Sequence, residues 1–177
     1  MIDLQDERNW DEPLFPVAVA AQAALIAPGA LRMWFVRKRI TLAAAEYDPG
    51  LDAEKAGLPR LLSLRTVLTI AAAARLVARG VDVTDAFAAA KTWTWFGEGW
   101  DGQGDSPRDP AKLFAKGFTV LIHYAGDHCR VVKADPHPSF SDLFIQGHPV
   151  RSAPLLVLLN DVDRYARGVC QGFLRDD

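Results

Sequence analysis

The stretch that most constrains this 177-residue sequence runs from Leu64 to Arg79. Its apolar positions Val67, Ile70, Ala71, Ala74 and Val77 recur at helical spacing, which predicts a long helix. Ser63 stands where an N-cap belongs, and Gly80 where a helix commonly ends. A helix of about four turns must bury its apolar stripe against other elements. The flanking segments therefore decide the fold.

Downstream, Thr84 reads as the cap of a second helix, Asp85 to about Trp95, with Asp85 near the positive end of its dipole. Upstream, Phe15-Pro16 introduces the alanine-rich run from Val17 to Ala24, and Pro16 suits a first helical turn. The run stops at Ile26-Ala27-Pro28-Gly29, where Pro28 disfavours helical angles at Ala27 and Gly29 permits a sharp turn. A further helical pattern begins at once. It sets Leu31, Trp34 and Phe35 on one side, with Arg32, Arg37, Lys38 and Arg39 largely around it. Two short helices across a tight turn make a helix-turn-helix candidate. Between Thr41 and Pro59 lie the turn signals Asp48-Pro49-Gly50 and Gly57-Leu58-Pro59, with room for short strands on either side.

The stretch Gly97 to Pro110 is rich in Gly, Asp and Pro and reads as a linker. Beyond it, Phe118–Tyr124 and Cys129–Lys133 flank Ala125-Gly126-Asp127-His128 and predict a β-hairpin. Asp135 to Ser139 is a turn, and Ser141 to Ile145 is a short element of open type. Pro154 to Leu159 is apolar, and Asp161 starts a last helix to about Phe173. The expectation is an α+β chain in three parts: a mainly helical unit over 13–96, a linker over 97–110 and a small α+β module over 111–177.

Half of the residues are hydrophobic and the net charge is −2, which argues against disorder. The overall charge also lacks the basic excess common in nucleic-acid binders, so any such role needs a local basic surface. Two cysteines, Cys129 and Cys170, do not make a disulfide framework and point to a reducing cytosol. Met1 to Glu12 reads as a loose acidic lead without signal-peptide character. No apolar run reaches bilayer length; Ala153–Leu159 is too short. A cytoplasmic protein without membrane attachment is expected.

The order of these pieces resembles the MerR family of transcription regulators. Leu31-Arg32-Met33-Trp34 is similar to that family's Leu-Arg-aromatic pattern in the second helix of a helix-turn-helix. Arg60-x-Leu62-Ser63 is similar to its Arg-x-Tyr-(Ser/Thr) motif after a wing, and Leu76-Val77-Ala78-Arg79-Gly80 to its Leu-x-x-x-Gly helix end. Lys38 stands where glycine often follows the recognition helix. The resemblance covers about Leu14 to Trp95 and implies a winged helix-turn-helix that binds double-stranded DNA, with a homodimer of repressors as the expected state. The last helix and Leu155–Leu159 are the candidate dimer contacts.

A recognition helix needs donors for phosphates and base edges in the major groove. Over 29–39, Arg32 is the candidate base contact, and Arg37, Lys38 and Arg39 are phosphate contacts, with Trp34 as anchor or indole donor. Lys55 or Arg60 would reach a flanking groove from the wing. Taken alone, Arg37-Lys38-Arg39 also reads as a solvated helix end, Arg60 as the ion-pair partner of Glu46, Asp52 or Glu54, and Arg65 as solvated. His123, His128, His137 and His148 read as exposed hairpin and turn residues; neither they nor Cys129 match a metal or cysteine-nucleophile signature. Gly97–Gly104 lacks the lysine of a phosphate loop. No enzyme, metal or cofactor is expected, and a small-molecule effector is left open. Trp93, Trp95, Phe96 and Trp100 read as packing residues, with a ligand pocket or dimer contact as the alternative. Alternative functions are an excisionase-like or phage architectural DNA-binding factor, and a protein-interaction module without DNA binding.

Overall fold

A computed structural model describes residues 3–4, 6–40, 60–97, 108–126, 128–134 and 154–176. The expected wing (41–59, with Lys55), most of the expected linker (98–107, with Trp100) and the element at 141–145 lie outside the described residues.

At the centre is α3, Leu64–Val77. The Ser63 hydroxyl accepts from the Thr66 N–H at 3.2 Å and caps its start. Gly80, at φ +91°, lets the chain turn away, and the Val81 N–H reaches back to the Leu76 carbonyl at 3.2 Å. Eleven of the fourteen residues of α3 are buried, more than a single apolar stripe provides. Such a helix belongs inside a structure rather than on it. Ala71, Ala72, Ala73 and Ala74 have no side chain beyond Cβ, so neighbours approach closely. Those neighbours are α1 (Val17–Ala24), α4 (Val83–Thr94) and a C-terminal helix α5 (Leu159–Asp176). The cap of α4 is Asp82, not the expected Thr84: its carboxylate accepts the Thr84 N–H at 2.8 Å. Two residues before Thr84, Asp82 is placed to satisfy the first free N–H groups.

Among the described residues, two antiparallel sheets complete an α+β fold. The smaller pairs β1 (Phe15–Pro16) with β2 (Leu61–Leu62), in register Phe15↔Leu62. It ties the start of α1 to the start of α3. Between them α2 (Pro28–Val36) follows α1. The larger sheet has the order β4-β3-β5, with β3 at Phe118–Ala125, β4 at His128–Ala134 and β5 at Leu155–Leu158. The predicted hairpin is β3–β4, and β5 adds on the far side of β3 with Leu121↔Val157. β5 runs directly into α5, which buries Leu159, Val162, Ala166 and Cys170 at helical spacing against α1, α3 and β3. Phe173 meets Phe15 edge-on at 6.3 Å.

The N-terminal lead is not loose. Leu4 and Trp10 are buried, and the Trp10 indole N–H donates to the Leu4 carbonyl at 2.8 Å. The Arg167 guanidinium of α5 stacks 4.4 Å above the Trp10 ring and bonds the Leu4 and Ala111 carbonyls and Asp163. Two apolar residues within an acidic stretch suffice to anchor it.

The described ends of the expected linker are equally fixed. The Arg108 N–H donates to the Gly97 carbonyl at 2.8 Å, so the ends of 97–108 meet. A Cβ on Gly97 would lie 2.1 Å from the Arg108 carbonyl oxygen, which explains glycine there. The Arg108 side chain is buried and donates to the Thr92, Trp93 and Lys112 carbonyls, closing the C-terminal end of α4. Burial pushes its pKa down to about 10, still protonated at neutral pH. One buried cluster runs from Leu4 through α1, α3 and α4 to Cys170 of α5, so the described residues of 13–96 and of 111–177 share a core. Among the described residues, no single helix is long and apolar enough to cross a membrane.

The close approach along α3 has a direct test. Leucine matches alanine closely in helix propensity. Ala72→Leu should therefore cost about 1–3 kcal/mol in urea unfolding through overpacking alone. An unchanged midpoint would mean that α3 has room on that side.

Candidate nucleic-acid interface

The axes of α1 and α2 differ by 112°, within the range of helix-turn-helix pairs. Leu25, at φ +58°, ends α1 in the left-handed conformation, and the Ile26 N–H returns to the Ala21 carbonyl at 3.0 Å. Ala27 stands before α2 in extended conformation and Pro28 occupies its first turn, as the sequence implies. Leu31 is fully buried and Trp34 and Phe35 are half-buried, so this side of α2 anchors it to the core.

No acidic residue occurs from Pro13 to Ala45. Arg32, Arg37, Lys38 and Arg39 are all exposed in this stretch. Their arrangement differs from the expected helical rod over 29–39. α2 ends at Val36 and carries only Arg32. Arg37 is its C-cap, Lys38 turns left-handed at φ +50°, and the Arg39 N–H closes the turn on the Trp34 carbonyl at 2.9 Å. The three cations thus sit at the negative end of the α2 dipole, where positive charge is favoured. Lys38 holds the conformation that glycine adopts most readily.

Arg39 reaches the Asp82 carboxylate at 3.4 Å, an exposed pair. Asp82 is held below the usual carboxylate range chiefly by the Thr84 N–H it caps, and only secondarily by Arg39. Half-exposed on both sides, the Arg39–Asp82 pair contributes little to stability. Arg32 points another way. It lines a cavity of about 490 Å³ with Val17, Ala18, Phe35, Val36 and Arg60. The Arg60 guanidinium lies 4.8 Å over the Phe35 ring. Arg32 and Arg60 are thereby brought together, while Arg37, Lys38 and Arg39 cluster at the end of α2. Trp34 turns toward the core, and Lys55 lies outside the described residues.

Several residues take roles that the sequence does not announce. Arg65, expected to be solvated, grips Asp11 through Nε at 2.5 Å and Nη2 at 3.0 Å. It also donates to the Thr94 carbonyl and lies over the Trp95 ring. His123 is buried rather than exposed, and its Nε2 meets the Gly126 carbonyl at 2.9 Å across the hairpin. His137 and His148 lie outside the described residues. Cys129 Sγ is 3.1 Å from the Thr92 hydroxyl. Burial of Cys170 pushes its thiol up to about 12. Among the described residues, no three His, Cys, Asp or Glu side chains converge on a possible metal position. Trp93 is buried with its indole N–H on the Lys112 carbonyl, whereas Phe96 is exposed. On α2 itself Met33 is 42% and Val36 73% exposed, an apolar outward surface beside Arg32.

Left-handed backbone costs about 1–2 kcal/mol for a residue with a Cβ, part of which glycine returns as unfolded-chain entropy. Lys38→Gly is accordingly expected to raise stability by about 0.5 kcal/mol, read by chemical denaturation. A loss of stability would contradict the turn geometry after α2.

No protein-family model matches this sequence, and no curated protein or solved structure matches it either.

Proposed function

We propose that this chain is a cytoplasmic, sequence-specific DNA-binding regulator, a repressor that acts as a homodimer and contacts duplex DNA through α1–α2. The observation that carries the reading is a helix pair bent by 112° that bears Arg32 on α2 and Arg37, Lys38 and Arg39 in the turn closing it, all exposed, in a stretch without acidic residues. A near-neutral chain that gathers four exposed cations on α2 and the turn after it, of which only Arg39 meets a carboxylate among the described residues, has the local electrostatics that phosphate binding needs. The resemblance of the Leu31–Trp34, Arg60–Ser63 and Leu76–Gly80 segments to MerR regulators supports the same reading. In it, Arg32 reads a base edge or an adjacent phosphate from the helix. Arg37, Lys38 and Arg39 neutralise phosphates from the turn, and Arg60 supports α2 by stacking on Phe35. Two free cysteines fit a reducing compartment.

The exposure of Met33 and Val36 favours a second reading, in which the same helix docks on a protein partner. Salt dependence separates the two. Under the DNA reading, fluorescence anisotropy with a mixed duplex pool shows binding that weakens linearly on a log–log salt plot. Replacing Arg37, Lys38 and Arg39 together by alanine should reduce that slope by about 2.7, since each phosphate contact contributes about 0.9. Arg32→Ala should cost about 1–3 kcal/mol on a selected site and relax specificity. Binding and slope unchanged in both variants would reject the DNA reading and leave the protein-partner alternative.

A further inference from the structure

The cavity between the start of α1, α2 and Arg60 carries a chemistry that DNA binding does not account for. Its volume, about 490 Å³, lies in the range of small-molecule sites. Val17, Ala18, Phe35 and Val36 give it apolar walls. Two guanidinium groups, Arg32 and Arg60, line it, and among the described residues no carboxylate does. Among the described residues, neither guanidinium is paired with an acid. The first two residues of α1 lie at the cavity, α1 has no acidic residue in its first turn, and Pro16 offers no side-chain cap. The positive end of the α1 dipole therefore adds to the field of the two arginines. Stacking on Phe35 holds the Arg60 guanidinium in place. Another cavity, between α1, α3 and α5, makes the contrast. It is about 650 Å³ and is lined by Arg75 and Arg164 but also by Asp161, which pairs with Arg164 at 2.8 Å. One of its two cations is paired with an acid; among the described residues, neither cation of the first is.

We infer that the cavity binds an amphiphilic organic carboxylate, with the anionic head between Arg32 and Arg60 and an apolar body against Val17, Phe35 and Val36. A planar guanidinium pairs with a carboxylate through two parallel hydrogen bonds, and the apolar walls favour a ring or short alkyl body over a bare anion. Because Arg32 is also the proposed base contact, a bound carboxylate competes with duplex. That regulatory clause rests on the DNA reading; the binding site does not.

Calorimetric titration of the full chain without DNA tests the site. The probes are phenylbutyrate, its neutral amide and inorganic phosphate. Phenylbutyrate should bind at about millimolar Kd or tighter. The amide and inorganic phosphate should each bind about tenfold or more weakly, because each lacks one half of the recognition. Arg32→Gln and Arg60→Gln should each weaken phenylbutyrate about tenfold. Val36→Glu, at an exposed position that folding does not require, should do the same by placing a like charge at the rim. The inference is overturned if phenylbutyrate gives no saturable heat. It is equally overturned if the amide or inorganic phosphate matches it, or if all three folded variants bind as the parent does. A separate arm adds phenylbutyrate to the duplex complex. Release of DNA from the parent by phenylbutyrate but not by its neutral amide supports competition. Binding without release retires only the regulatory clause, and absence of DNA binding retires the DNA reading while the site stands.

Discussion

Everything in this molecule is arranged around the dry contact of α3 with its neighbours. Ala71 to Ala74 let α1, α4 and α5 close in from different sides, and Leu68, Ile70 and Leu76 fill the remaining space. The polar contact made inside this contact is self-contained. The Thr69 and Thr94 hydroxyls meet at 2.7 Å, and the hydroxyl that accepts across the pair donates to its own helix carbonyl four residues back, Arg65 at 2.8 Å or Ala90 at 3.3 Å. A buried hydroxyl without such partners would destabilise the contact. Because α1 is held on α3, and β1–β2 pins the start of one to the start of the other, the position of α2 is set by a rigid frame.

The same frame sorts the charges. The acidic lead is fastened to the core by Trp10 and Leu4, and its carboxylates take up cations that lie away from α2. Asp11 pairs with Arg65, Glu7 with Lys112, and Asp6 with Arg8. None of these carboxylates comes to Arg32, Arg37 or Lys38 in the described residues. A chain of net charge −2 thereby keeps a cationic edge in which, among the described residues, only Arg39 meets a carboxylate, that of Asp82. The proposed nucleic-acid contact and the proposed carboxylate site both draw on that edge, and they meet at Arg32.

What the sequence revealed follows from the range of the interactions involved. Helices capped by local chemistry were legible: Ser63 and Gly80 bound α3, and Pro28 starts α2. The β3–β4 hairpin was legible from two strand-like runs around Gly126. Contacts between distant segments were not. Nothing local marks Arg167 as the partner of Trp10, or Arg108 as the residue that closes α4. The exposed basic run was readable at Arg32 to Arg39, but the end of α2 at Val36 was not, because no glycine or proline announces it and Lys38 takes the left-handed turn. The cavity joining Arg32 to Arg60 needs residues 28 positions apart in the chain, beyond the reach of any periodicity.

The most direct test of the central claim is a backbone amide NMR titration of the full chain with duplex DNA at low salt. The account predicts that shift changes and broadening gather on Arg32 to Arg39 and the start of α1, leaving β3, β4 and the outer face of α5 unaffected. Changes centred on the sheet or on α5, or none at all, would contradict it.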